Sequence, residues 1–360
     1  MSAVESVLIV GTGLIGTSVA LALREHDVAV HLADRDPGAV RLARELGAGV
    51  EWVPGGPAVD LAVIAVPPQY VAGELLALQR QGAARHYTDV ASVKALPLAE
   101  AVRLGCDTAS YIAGHPLAGR ERSGPAAARA DLFLGRPWAY CPTAATSPEA
   151  VETLLGVIKL CGGEAVRVDA EEHDRAVAVV SHAPHVTASA VAARLAEAPE
   201  TALGLAGQGV RDVTRIAAGD PALWTGILSG NALPVAEVLE AVAADLNAAA
   251  AALREAASSR DEAMARVTEL LRRGVAGTGR IPGKHGGPAK TYVTVQVLVG
   301  DRPGELARLF QVAEEAGVNI EDVRLEHARG LPLGAAELFV HPQAAEPLAE
   351  ALRAHGWHVP

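Results

Sequence analysis

Two polar loops in apolar surroundings hold the residue types that acid–base chemistry needs. In Gly114-His115-Pro116-Leu117-Ala118-Gly119-Arg120-Glu121, glycines and a proline fix the backbone around a single imidazole. A histidine titrates near neutral pH. It can therefore take a proton from a substrate hydroxyl while the carbon bearing that hydroxyl gives up a hydride. Taken alone, a loop histidine is more often a turn residue than a base, and Glu121 either orients a neighbour or is solvated. Asp89-Val90-Ala91-Ser92-Val93-Lys94 closes an apolar run. Ligands in open α/β sheets sit outside strand carboxyl ends, so Ser92 and Lys94 are site candidates there, with ordinary loop capping as the alternative.

Further along, Ser181-His182-Ala183-Pro184-His185 interrupts an apolar helical stretch that begins near His173-Asp174. Two imidazoles on such a segment are costly to bury unless partnered. No third ligand stands at helical spacing, so no metal site is expected. Gly207 to Arg215 places Arg211, Thr214 and Arg215 after a glycine turn. A guanidinium is a planar fork for a carboxylate; the alternative is a surface loop with charge pairs of little energetic weight.

A third loop, Gly11-Thr12-Gly13-Leu14-Ile15-Gly16, follows an apolar run directly and opens a helical pattern. Gly11 permits the tight turn, Gly13 lets the backbone approach a pyrophosphate, and Gly16 lets helix pack on strand. The phosphates would lie on the helix N-terminus, beside Leu14 and Ile15, where free N–H groups and the dipole attract anions. Asp34 ends the next strand 18 residues after Gly16. An acid there accepts ribose hydroxyls and repels a 2′-phosphate, which favours NAD over NADP, although Arg35 beside it can accommodate that phosphate.

The elements that position these loops follow from periodicity. Residues 6–10, 28–33, 61–66 and 86–90 read as buried parallel strands, separated by helical patterns at 17–25, 38–46 and 71–78. That alternation predicts a doubly wound, Rossmann-type α/β domain over 1–165. From 166 to 275 the chain is Ala/Leu/Glu-rich and nearly free of turn residues, which predicts an all-helical domain whose apolar faces suit pairing with a second copy. A Gly/Pro-rich linker is expected over 276–290. Residues 291–360 read as β-α-β-β-α-β, a ferredoxin-like unit.

Composition narrows the class. Acidic residues outnumber basic ones by 42 to 31, for a formal charge of −11, so a nucleic-acid binder is not expected. Cys106, Cys141 and Cys161 stand far apart, as in a reduced chain without a disulfide framework. The start shows no signal-peptide pattern, and no apolar run reaches the roughly 18 residues of a membrane span. A cytoplasmic protein is expected. Residues 291–360 hold ten acidic and five basic residues, so the acidity is densest away from the loops above.

With these motifs together, the chain resembles the prephenate/arogenate dehydrogenases of tyrosine biosynthesis. GTGLIG, DVASVK, GHPLAGRERSG, SHAPH and GQGVRDVTRIAAGDPALW occur in that family's order over roughly residues 5–270. Asp301-Arg302-Pro303-Gly304-Glu305-Leu306, with Asn319 and Ile320, looks like an ACT domain, an amino-acid-binding regulatory module. The resemblance implies NAD-dependent oxidative decarboxylation of prephenate to 4-hydroxyphenylpyruvate. His115 would assist deprotonation of the ring C4 hydroxyl and Ser92 would orient it. Arg215 would hold a substrate carboxylate, His185 would line the side-chain end, and Glu121 would order the pocket. The terminal unit suggests an effector, tyrosine or another aromatic amino acid, at Asp301, Pro303, Gly304, Leu306, Asn319 and Ile320, against a unit that only folds or dimerises; the long helices suggest a homodimer.

Arg120 stands where that family would lead one to expect a smaller residue, so a different pocket entrance is expected. Arogenate is the alternative substrate, since it differs only in an amino group for a keto group. A β-hydroxyacid dehydrogenase would need a lysine base on a long helix, and residues 170–275 contain no lysine. A non-catalytic dinucleotide and amino-acid sensor is the remaining alternative, and it would require the loss of His115 or Arg215.

Overall fold

The computed structural model describes residues 4–119, 124–256, 260–282, 292–327 and 333–360. Within it the chain forms two compact units, Met1–Ala244 and Asp245–Pro360. The first is built on eight strands: β1 Ser6–Val10, β2 Ala29–Ala33, β3 Val50–Glu51, β4 Val59–Ile64, β5 Ala84–Asp89, β6 Tyr111–Pro116, β7 Pro137–Cys141 and β8 Glu164–Arg167. Their spatial order is β3-β2-β1-β4-β5-β6-β7-β8. All neighbours are parallel except the antiparallel β6–β7 pair. The four strands expected from sequence form within two residues of their predicted limits, at the centre of a wider sheet.

Strand β1 explains why its sequence is a continuous apolar run. Val7 and Ile9 enter one core and Leu8 and Val10 enter the other, so both faces are covered and no polar alternation is tolerated. Parallel register places the carboxyl ends of β1, β4 and β5 in line, with Val10 opposite Ala33 and Ile64, and Ile64 opposite Asp89. The three polar loops grow from this one edge.

The helical segment follows. Helix Ala170–Val177 passes through a π turn, Ala178–His182, into helix Ala183–Leu195. In the wide turn the Ala183 N–H reaches Ala178 O, so Pro184, which has no N–H to give, begins the next helix without breaking the chain's course. Residues 170–195 are long and apolar enough to cross a bilayer by length and composition, contrary to the sequence expectation that no such stretch exists. Yet they carry buried His173, Asp174, His182 and His185, polar groups that have protein partners or stack on a neighbouring ring, as in the core of a protein rather than against lipid. Helices Pro221–Gly230 and Ala232–Glu255 meet at 100° around buried Asn231.

The division by compactness falls within Ala232–Glu255, so the helical segment up to Ala244 groups with the sheet. The reason is local: Asp174 accepts the backbone N–H groups of Lys94 and Ala95 at the start of helix Ala95–Arg103 (2.8 and 2.9 Å), tying the helical segment to the sheet.

In the second unit, β9 Val293–Gly300, β10 Asp322–His327 and β11 Leu333–Val340 form an antiparallel sheet in the order β10-β11-β9. Val295, Val297 and Val299 alternate inward from β9 against Leu309 and Leu352 of two covering helices, Glu305–Glu315 and Ala345–Ala354. The last expected strand is reduced to a single bridge between Leu298 and His358. Gly356 turns the chain at φ 83° just before this bridge. Of the expected linker, residues 276–278 instead end helix Arg260–Thr278, where helical hydrogen bonding continues past Gly277, and residues 283–290 lie outside the described residues.

Candidate functional site

The nucleotide loop is shaped by close approach. Gly11 has φ 101°, and a Cβ there would lie 2.4 Å from Ala65 O; one on Gly16 would lie 2.0 Å from Gly11 O. Neither position admits a side chain. Gly13 differs: a Cβ there would meet nothing within 4 Å, and the residue caps the N-terminus of helix Leu14–Arg24 with no side chain over it. Bare amides at a helix start, with space before them, suit an anion. Leu14 and Ile15 are half-buried in that first turn.

Asp34 sits at the end of β2, where its Oδ2 accepts the N–H and the hydroxyl of Thr12 (2.6 and 3.1 Å) and Oδ1 accepts the Asp36 N–H (2.9 Å). Thr12, fully buried, was not singled out in the sequence, although its place beside Gly11 was visible. A carboxylate takes roughly four hydrogen bonds, so Asp34 retains capacity for a ribose hydroxyl. Arg35 is exposed next to it.

Beyond β5, Ser92 lies half-buried between buried Ala91 and Val93. Lys94 is not a loop cap. Its side chain is fully buried and pairs with the buried Asp89 carboxylate, and its Nζ also donates to Gly114 O (2.6 Å). Asp89 in turn accepts the Tyr111 hydroxyl (2.6 Å) and the Ala91 N–H (2.8 Å). Burial, then the adjacent Asp89 charge, pushes the Tyr111 phenol well above its ordinary range. One ammonium thus bridges the ends of β5 and β6 directly behind His115.

His115 is half-buried on β6. Its Nδ1 lies 2.9 Å from His173 Nε2, and His173 Nδ1 lies 2.8 Å from Asp174 Oδ1. Desolvation first, then His173, Lys94 and His182, hold the His115 imidazole well below its ordinary value, so the ring is neutral at pH 7 and able to accept a proton. His182 Nδ1 lies 3.1 Å from Asn231 Nδ2, whose other hydrogen goes to Asp174 O (2.7 Å). His182 is pushed down to about 4, chiefly by burial. His185 stacks on Trp224 at 3.5 Å and 13°, and its buried Nδ1 has no partner among the described residues. A buried polar atom of this kind calls for a ligand or water.

Arg215 occupies the exposed turn Arg215–Ala218, which packs on helix Ala183–Leu195 carrying His185. Glu121 and Arg120 lie outside the described residues. The structure therefore gathers His115 with His173, Asp174 and Lys94. Of these partners the sequence marks Lys94 as a site candidate or loop cap and His173-Asp174 only as a helix start.

In the second unit the expected regulatory set divides. Asp301 and Leu306 line a pocket with Gly300, Arg302, Glu305 and Leu325, at the turn where Pro303 precedes Gly304 (φ 89°). Asn319 instead donates to Glu321 Oε1 (2.8 Å), and Ile320 packs on the core of this unit; neither lines that pocket.

Comparison with known proteins gives two adjoining family matches. The model described as prephenate dehydrogenase, nucleotide-binding domain, matches residues 19–167, and that described as prephenate dehydrogenase, dimerization domain, matches 169–272. A probable prephenate dehydrogenase of Streptomyces niveus is 42% identical over 358 residues, covering 98% of this chain and 99% of that one. Among solved structures, prephenate dehydrogenase of Aquifex aeolicus in complex with hydroxyphenyl propionate and NAD+ superposes with TM-score 0.64 at 28% identity, covering 75% of this chain and 98% of that one. Synechocystis arogenate dehydrogenase gives 0.61 at 25%, covering 76% and 100%.

Proposed function

Because the chain belongs to the prephenate dehydrogenase family, we propose that it converts prephenate to 4-hydroxyphenylpyruvate in tyrosine biosynthesis, with NAD as its cofactor. The observation that carries this reading is His115, a neutral, partly exposed imidazole fixed at the same carboxyl edge of the sheet as the glycine-lined helix start.

Gly11, Gly13 and Gly16 would cradle the pyrophosphate, with Leu14 and Ile15 in the first turn and Asp34 on the ribose. NAD held there would supply the hydride acceptor for ring C4. His115 takes the C4 hydroxyl proton as that carbon becomes a carbonyl, with Ser92 orienting the same hydroxyl. The ring carboxylate then leaves as CO2, its bonding electrons pass through the ring to the C4 oxygen, and His115 returns the proton there. The residues need only position substrate and hold one proton, because the products include an aromatic ring. Prephenate is a dianion, and Arg215 supplies a fork for one carboxylate, while His185, with its unpartnered Nδ1, faces the side-chain end. Glu121 orders the pocket.

The loop makes a separable prediction. Gly13→Ala should leave the thermal midpoint unchanged, since Gly13 is extended (φ −74°, ψ −164°) with open space beside it. The added methyl fills the cradle, so NAD affinity measured by fluorescence titration should fall about tenfold, roughly 1.4 kcal/mol. Gly16→Ala drives a methyl into Gly11 O and should destabilise the fold by about 3 kcal/mol or more.

The second unit is read as an ACT domain taking tyrosine as feedback inhibitor. Its support is the pocket at Asp301, Arg302, Glu305 and Leu306, which offers both charge signs to an amino-acid zwitterion, with Pro303 and Gly304 shaping the turn and Asn319 and Ile320 flanking β10. A homodimer through the helical segment is favoured by the exposed Val179, Val180 and Val191 on residues 170–195. Free, buried Cys106, Cys141 and Cys161 suit the reducing cytoplasm. Arogenate dehydrogenase is the second reading, favoured by the Synechocystis likeness.

One assay tests these together: NAD reduction with prephenate and with arogenate, each with and without tyrosine. Turnover of prephenate at least tenfold faster than arogenate, lowered by tyrosine, is expected. Preference for arogenate would replace the substrate reading, and indifference to tyrosine would remove the effector.

A further inference from the structure

We propose that His173 and Asp174 set the tautomer of His115, and so act as positioning residues for the proton transfer assigned to it. The proposal rests on the base reading above and goes beyond it.

Asp174 anchors the relay. Its Oδ1 accepts the Lys94 N–H (2.8 Å) and its Oδ2 the Ala95 N–H (2.9 Å) at the start of helix Ala95–Arg103, where the helix dipole also favours negative charge. Its own carbonyl is pinned by Asn231 (2.7 Å). The carboxylate is thus an immobile acceptor. His173, buried at 3% exposure, must direct Nδ1–H at Oδ1 (2.8 Å), because a lone pair there would face negative charge. A neutral His173 then presents the lone pair of Nε2 to His115 Nδ1 at 2.9 Å. Two lone pairs cannot meet at that distance, so His115 carries its hydrogen on Nδ1. Nε2 of the half-exposed ring is left as the proton acceptor. Without the relay, His115 would populate both tautomers, one of which has no lone pair on Nε2.

No net proton has to travel along the chain, since the proton taken from the substrate hydroxyl is returned to the same oxygen. The relay fixes a starting state and steadies the imidazolium formed in between. It also gives buried Asp174, on a different element from His115, a reason to sit where it does.

Two measurements test this. In protein labelled with 15N-histidine, without cofactor or substrate, His115 should show a protonated Nδ1 and an unprotonated Nε2. A protonated Nε2 in the neutral ring overturns the proposal. In kinetics, His173→Leu removes the acceptor and should lower kcat about 10- to 100-fold with KM within about threefold. His173→Gln, whose side-chain oxygen can accept from Nδ1–H, should recover most of that loss. Wild-type kcat in a folded His173→Leu protein overturns the relay, as does a Gln variant no better than Leu. Failure of the base reading looks different, because His115→Ala would then turn over normally.

Discussion

His115→Ala should lower kcat by about 10³-fold while changing KM only a few-fold, measured as NAD reduction with saturating prephenate. General bases contribute about 10²- to 10⁴-fold. The middle of that range applies: Lys94 Nζ is committed to Asp89 and Gly114 O, and His173 Nε2, freed of its partner, lies buried behind the missing ring. Arg215→Ala should do the reverse, raising KM roughly 30-fold with a smaller change in kcat, since losing a charged partner to a carboxylate costs about 2 kcal/mol or more. The pH dependence has a definite sign. His115 lies well below its ordinary 6.5, through burial first and then His173, Lys94 and His182. Its base form therefore persists into mildly acidic solution, and the acid limb of the kcat profile should fall below pH 6.5. Normal turnover in His115→Ala would remove the base assignment.

How much of this could be read from sequence depends on how local each signal is. β1 was legible because strands buried on both faces must be apolar throughout, and Val7 to Val10 serve two cores. The nucleotide loop was legible because its glycine spacing is local, with Gly16 against Gly11 O, although Gly11 itself meets Ala65 O just past β4. β6 was not: Gly114, His115 and Pro116 read as a polar loop, yet they pair with Trp138, Ala139 and Tyr140 of β7, a strand the chain supplies only after a long excursion. His115 was recognised, while its partner 58 residues away was not, because adjacency across a folded helix leaves no periodic trace. Lys94 looked like a loop residue for the same reason. A lysine is almost never fully buried unless paired, and nothing near it in sequence announces that Asp89 and Gly114 O will meet it. Glu121 falls outside the described residues and stays an assignment by resemblance.

That pair sets the largest expected effect on stability. Lys94→Met should lower the unfolding free energy by about 3–5 kcal/mol, the cost of removing one partner from a buried ion pair, seen as an earlier urea transition by tryptophan fluorescence. Asp89 would keep its bonds from Ala91 and Tyr111 (2.8 and 2.6 Å), but in a site with no exposure two neutral donors do not balance a carboxylate. Lys94→Met with Asp89→Asn removes the stranded charge and should recover a large part of the loss, because the two substitutions share one interaction and are not additive. Activity should not recover with stability. Lys94 Nζ also holds Gly114 O, the carbonyl preceding His115, so the double variant would fold with the His115 ring less firmly placed and kcat still depressed. If the single variant is as stable as the parent, the buried pair contributes nothing to the fold. If the double variant regains full kcat, Lys94 serves stability alone and the ring is held by the His173 relay.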